Sequence, residues 1–349
     1  FRTMNKISYR RLEEEVKTDE ILDLVFKDSS VKHGLQEFSK EILERINAFE
    51  KEEGKFCVRC LKRGKDIFIY DKNKKTGKPE EVIRQLWLVK LTQEYRYPLD
   101  RIEVEKSVQF GTEVREKSAD IVLYKEDKIT PYIIFELKQP NAKKAEEQLK
   151  SYLSAEGAEG GVWSNGIQRF ILYRPYPKEY ITTLSDIPNV NQTWDDLFEE
   201  KKTYDELQEK FHLSFIISRL EEMVLAQAGV NVFEEVFKLI YAKLYDEDQA
   251  KNFRAKKEIY FRQYKDPKKT YAVINDELFK GAIEEWKDIF NPLSKIDLSP
   301  DQLQICIPFL EDKKFFGSGR EELEIIDRAF EHLIAEVSKG QKGQYFTPR

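Results

Sequence analysis

The stretch that most constrains the fold is PYIIFELKQP, residues 131–140. Ile133, Ile134 and Phe135 leave no polar alternation, so the strand they predict must be covered on both faces. Such a strand also has to end. Glu136 and Lys138 bring two charges into it, and Pro140 stops the sheet because it has no backbone N–H to donate. Side chains two apart on a strand share a face, so Glu136 and Lys138 project together where the buried strand emerges.

SADIVLY (residues 118–124) and YIIFELK are joined by KEDKITP, which predicts an antiparallel hairpin. With Asp127–Ile129 at its centre, Asp120 lies opposite Glu136, where cross-strand Cβ atoms are about 4.5–5.5 Å apart. Two carboxylates at that separation repel unless a cation lies between them. A hard divalent ion with oxygen ligands, Mg²⁺ above all, suits the place. Metal and Lys138 together can orient and deprotonate a water and stabilise a phosphorane-like transition state. Glu-x-Lys occurs eight times in the chain, so the spacing alone says little. The copy at 136–138 is the one that ends a continuous apolar strand and follows a strand bearing an aspartate. Pattern alone leaves open a structural strand end with a salt-bridged Glu and Lys.

NAKKAEEQLKSYLSA predicts a helix, on which Gln148 and Tyr152 are four apart and share a face. Both can contact a phosphate, a base or a metal-bound water. Glu81 is a further candidate, in the first turn of the helix expected after Pro79, where the macrodipole favours acids in any case.

With 349 residues the chain is long enough for two domains with cores of their own. We expect a helical segment over 1–54, an α+β domain over 55–180 and a mainly α-helical region over 181–349. LQEFSKEILERINAFE carries helical spacing at Leu35, Phe38, Ile42, Leu43 and Ile46. KFCVRCLKRGKDIFIYD alternates like strands turning at Gly64. KNKKTGKPEE reads as a loop, IEVEKSVQF as a strand, and GGVWSNGIQRFILYR as a hairpin turning at Asn165-Gly166. VFEEVFKLIYAKLYDED (232–248) and ELEIIDRAFEHLIAEVSK (322–339) are amphipathic helices, while YFRQY and LQICIPFL are too short to imply a second large sheet.

The formal net charge of -5 neither predicts nor excludes a nucleic-acid partner. Its distribution says more: residues 55–80 carry nine Lys/Arg against three Asp/Glu, and residues 251–270 eight against two. The second segment interleaves them with Phe253, Tyr260, Phe261 and Tyr264, a mixture suited to phosphate contact plus base stacking, although a solvated helix face reads equally well. Three cysteines argue against a disulfide framework and fit a reducing cytoplasm. CVRC has zinc-knuckle spacing but lacks a second pair. No apolar run approaches membrane-spanning length, so no membrane partner is expected.

In order, Asp120, ELK at 136–138 and QLKSY at 148–152 resemble the PD-(D/E)XK nuclease core with a Gln-x-x-x-Tyr extension. That extension is associated with the nuclease domain at the N-terminus of type I restriction enzyme R subunits, and the resemblance runs over roughly residues 60–175. It implies a nuclease-like mixed sheet flanked by helices, with double-stranded DNA as substrate. It implies that Asp120 and Glu136 hold Mg²⁺, for which Mn²⁺ can substitute, and that Lys138 is catalytic. Gln148, Tyr152 and Glu81 would complete the site. The family's proline before the metal-binding aspartate is absent, since Ser118 and Ala119 stand there.

An R subunit continues into a translocase with a G-x-x-x-x-G-K-[ST] phosphate loop, and no such loop occurs here. NVFEEVFKLIYAKLYDE and the terminal GQKGQYFTPR instead resemble the helical N-terminal domain of adenine-specific N6 DNA methyltransferases. The two resemblances imply a piece of a bacterial or archaeal restriction–modification fusion, ending where the methyltransferase domain starts. S-adenosylmethionine would bind only in that downstream domain, and a specificity region or subunit would be a partner. The alternative is a catalytically inactive nuclease-fold module that holds DNA or assembles subunits.

Overall fold

In the computed structural model of the chain, residues 18–27, 35–110, 113–140, 142, 146–176, 179–181, 183–209, 211, 213–221 and 228–316 are described. The fold class is α+β. Contacts divide the chain into two units, residues 1–156 with 163–169, and residues 157–162 with 170–349. Among the described residues no helix is long and apolar enough to cross a membrane.

Four strands, β1 (Ala48–Glu52), β2 (Lys55–Arg59), β3 (Asp66–Asp71) and β4 (Thr76–Gly77), form a sheet in chain order. The second sheet contains β5 (Ile102–Phe110), β6 (Glu113–Tyr124), β7 (Pro131–Leu137), β8 (Gly160–Ser164), β9 (Arg169–Tyr176) and β10 (Glu179–Ile181), in the order β10-β9-β8-β7-β6-β5. The three consecutive strands predicted from sequence are present as β5, β6 and β7, as is the turn at Asn165-Gly166, where Gly166 takes a φ of 81°.

The helical reading of residues 8–53 needs correction. Among the described residues of that span, helix is confined to α1 (Thr18–Val25) and the single turn α2 (Lys40–Leu43), while 48–52 is strand. Ser39 caps α2, its hydroxyl accepting from the Ile42 N–H. Beyond it Phe49 pairs with Cys57, and Gly54 closes the hairpin at a φ of 73° that L side chains rarely adopt. Pairing with β2 satisfies a row of backbone groups, which outweighs the helical spacing. KNKKTGKPEE likewise contains two paired residues, Thr76 and Gly77, where a loop was expected.

The helix α3 (Pro79–Gln93) has Pro79 in its first turn, and its burial explains the site. It contacts β3 of one sheet and β7 of the other. Val82, Ile83, Leu86, Trp87 and Leu88 are fully enclosed, and the polar Glu81, Arg84, Gln85 and Lys90 are buried beside them. A helix covered on all sides must find hydrogen-bond partners for such groups.

Among the described residues of the second unit, those from 194 onward are mainly helical. The long helix α7 (Val232–Asn252) follows α4 (Glu146–Glu156), α5 (Trp194–Glu199) and α6 (Leu213–Leu220) in the chain. Its Val236, Leu239, Ile240 and Leu244 join a core with Ile274, Leu278, Phe279 and Leu303. The basic–aromatic segment at 251–270 divides. Phe261 and Tyr264 are buried, and Lys257, Lys265 and Arg254 pair with Asp205, Asp195 and Asp246. Phe253 and Tyr260 stay exposed. The segment therefore serves this unit's packing more than the sequence pattern suggests. The helix expected at 322–339 and the YFTPR motif lie outside the described residues.

Candidate active site

The hairpin of β6 and β7 has the register Ile121↔Phe135, Val122↔Ile134 and Leu123↔Ile133. Continued one step beyond the paired residues, this register sets Asp120 across from Glu136, the partner expected from the sequence. The Leu137 N–H donates to Asp120 Oδ2 at 2.7 Å. Residues Ile133 to Leu137 are buried, and the Lys138 side chain is the first to reach solvent, at 27% exposure. The Lys138 N–H donates to the Ser164 carbonyl at 2.9 Å, so the backbone at Lys138 is still tied to the β8 strand end.

Lys138 Nζ lies 2.5 Å from Glu136 Oε1, which places the amine and the carboxylate on one face. From α4, Gln148 Nε2 donates to the same oxygen at 2.7 Å and to Tyr152 Oη at 2.8 Å. The four-residue spacing thus delivers both side chains to one place. Glu136 Oε2, by contrast, is buried and among the described residues finds no hydrogen-bond donor. Burial raises the Glu136 carboxyl to about 7; the Lys138 hydrogen bond opposes this, and the charge of Asp120 adds to it.

This has a measurable consequence. In the unfolded chain the carboxyl ionises near 4.5, and in the folded chain near 7. Between those pH values the unfolded state releases the proton first, so stability falls as pH rises, by up to about 3 kcal/mol. Glu136→Gln has no such titration. In EDTA, urea denaturation should show the variant gaining on the wild type by about that amount between pH 4.5 and 8. A pH-independent difference would contradict the assigned environment.

Glu81 enters the site through arginines that sequence reasoning missed. Arg84, one turn along α3, donates from Nη1 to Glu81 Oε2 and, at 2.9 Å, to Glu105 Oε1. Its Nη2 donates to Asp120 Oδ1 at 2.6 Å. Arg63 reaches Glu81 Oε1 at 3.0 Å and Glu105 Oε2 at 2.5 Å, and Gln85 also donates to Glu81. Glu81 therefore meets Asp120 by way of Arg84. The Glu81/Arg84 spacing of three was visible in the sequence, whereas Arg63 and Glu105 come from distant elements with no local signal.

Among the described residues no three His, Cys, Asp or Glu side chains are arranged to hold a metal ion. An ion here would rest on Asp120 and Glu136 with other oxygens completing its shell, a pattern usual for Mg²⁺, which keeps several waters. The orphaned Glu136 Oε2 fits such a ligand. CVRC does not act as a knuckle: Cys57 lies in β2, and Cys60 Sγ accepts from Arg63 Nε at 3.3 Å.

Residues 79–188 match the family described as the type I restriction enzyme R protein N terminus. The matched span contains all six candidate residues, Glu81, Asp120, Glu136, Lys138, Gln148 and Tyr152. No curated protein and no solved structure matches the chain.

Proposed function

We propose that the first unit is a metal-dependent DNA endonuclease, the restriction module of a type I-like restriction–modification protein. The observation that carries this is the buried Glu136 Oε2, without a hydrogen-bond partner among the described residues, with Asp120 held by the neighbouring Leu137 N–H and Lys138 on the same face as Glu136. The family match over 79–188 supports the same reading.

Asp120 and Glu136 would hold Mg²⁺ or Mn²⁺. When bound, the ion would supply a Lewis acid and a water of lowered pKa. The rest falls to the chain's own residues. Burial works most strongly against the charged Lys138 amine, but its hydrogen bond to Glu136 and the negative charges of Glu136, Asp120 and Glu80 together offset that and raise its pKa above the ordinary lysine range. Lys138 is thus a fixed positive charge suited to stabilising negative charge on a phosphate oxygen in the transition state. Gln148 fixes the Glu136 carboxylate from the side and leaves Oε2 to the ion. The loop at Lys72, Lys74, Lys75 and Lys78, exposed throughout, suits contact with the DNA backbone. Residues 181–349 we read as a helical connector leading into the N-terminal helical domain of an adenine methyltransferase.

A second reading has one observation in its favour. Asp120 has both oxygens engaged by protein donors, Arg84 and the Leu137 N–H, as a non-catalytic DNA-holding module would allow.

Nicking of supercoiled plasmid separates the two. With Mg²⁺ the protein should nick unrelated plasmids alike, less as salt rises, because phosphate contacts carry no base information and release counterions. In EDTA it should not nick. Equal nicking with and without the metal, or DNA binding with no nicking in Mg²⁺ or Mn²⁺, would overturn the proposal.

A further inference from the structure

Arg84 is buried on α3, yet its guanidinium does not brace a single partner. It spans Glu81, Glu105 and Asp120 through Nη1 and Nη2, while its third nitrogen, Nε, is buried with no acceptor among the described residues. A seat that leaves a charged group's donor desolvated is an imperfect one. Its Nη2 also takes Asp120 Oδ1, while the Leu137 N–H takes Oδ2. Each Asp120 oxygen therefore already accepts a protein donor, whereas among the described residues Glu136 Oε2 accepts none.

Charge points the same way. Glu81, Glu105, Asp120 and Glu136 face Arg63, Arg84 and Lys138, so with Glu136 ionised the cluster carries one excess negative charge. A divalent ion turns that into one excess positive charge, and two cations already touch the proposed ligands, Lys138 on Glu136 and Arg84 on Asp120.

We propose that Arg84 is a resident counter-ion of Asp120 which a divalent metal must exchange off Oδ1, so that Arg84 sets the metal affinity of the site. The inference rests on the metal-site reading of Asp120 and Glu136. Arg84 is on this account a positioning residue. In the metal-free protein it neutralises the buried Glu81 and the part-buried Asp120, and Glu81 and Glu105 retain it beside the site once Oδ1 is released.

Releasing one hydrogen bond to a charged group changes an affinity by about tenfold to a hundredfold. Calorimetric titration with Mn²⁺ should therefore give tighter binding for Arg84→Gln than for the wild type, by about tenfold or more. Arg84→Lys keeps a cation that cannot span three carboxylates, and it should fall between the two. Lysine also retains the buried charge, so it serves where the glutamine variant does not fold. An arginine that merely braces Asp120 predicts the opposite, weaker Mn²⁺ binding in both variants. With Mn²⁺ bound by the wild type and lost in Asp120→Ala, equal or weaker affinity in the Arg84 variants overturns the exchange alone. A wild type that leaves Mn²⁺ in solution overturns the metal site and the exchange together.

Discussion

Replacing Lys138 by alanine should lower Mg²⁺-dependent nicking by about 10²–10³-fold, the usual cost of removing one preorganised donor from a developing oxyanion. The fold should survive, because the side chain sits at the mouth of the site with 27% of its surface exposed. Glu136 then loses its counter-charge, but a carboxyl already raised to about 7 neutralises itself by keeping its proton. The loss should therefore appear in the rate of nicking, with DNA affinity little changed. A time course on supercoiled plasmid, with binding followed separately by anisotropy, distinguishes the two. Nicking at the wild-type rate would remove Lys138 from the chemistry.

The largest effect on stability should come from Trp87→Ala, at about 3–5 kcal/mol. Trp87 is fully buried on α3, with its ring centroid 5.0 Å from that of Phe135 and 6.0 Å from that of Phe38. Phe135 lies beside Glu136 in the chain, so a cavity at Trp87 undercuts the strand that presents the site. Surrounding groups cannot collapse into the space easily, because α3 is enclosed all round. Urea denaturation monitored by circular dichroism would measure the loss. A change below about 1 kcal/mol would mean the helix is less tightly held than its burial implies.

The site was legible where its geometry is local. Glu136 and Lys138 share a face because strands have a period of two. Gln148 and Tyr152 share one because helices return after about four residues. The Asp120–Glu136 pairing followed from the centre of one short hairpin. What the sequence hid is long-range. Arg63 and Glu105 are 42 residues apart, and Arg84 and Asp120 are 36 apart, so no window contains either pair. The polar stretch of β6 before Ser118 escaped too: Glu113 pairs with Phe110 and Lys117 with Val108 without an apolar alternation to announce a strand. At 48–52 the error ran the other way, since apolar spacing suited a helix until β2 offered an edge to pair with.

The central claim is that Asp120 and Glu136 form one divalent-metal site. Calorimetric titration with Mn²⁺ at pH 6 and pH 8, on the wild type and on Asp120→Ala, tests it most directly. The account predicts one ion per wild-type chain, none in the variant. Binding should be about tenfold weaker at pH 6, because Glu136, held near 7, must first give up its proton. Equal Mn²⁺ binding by the two proteins, or none by the wild type at either pH, would contradict it.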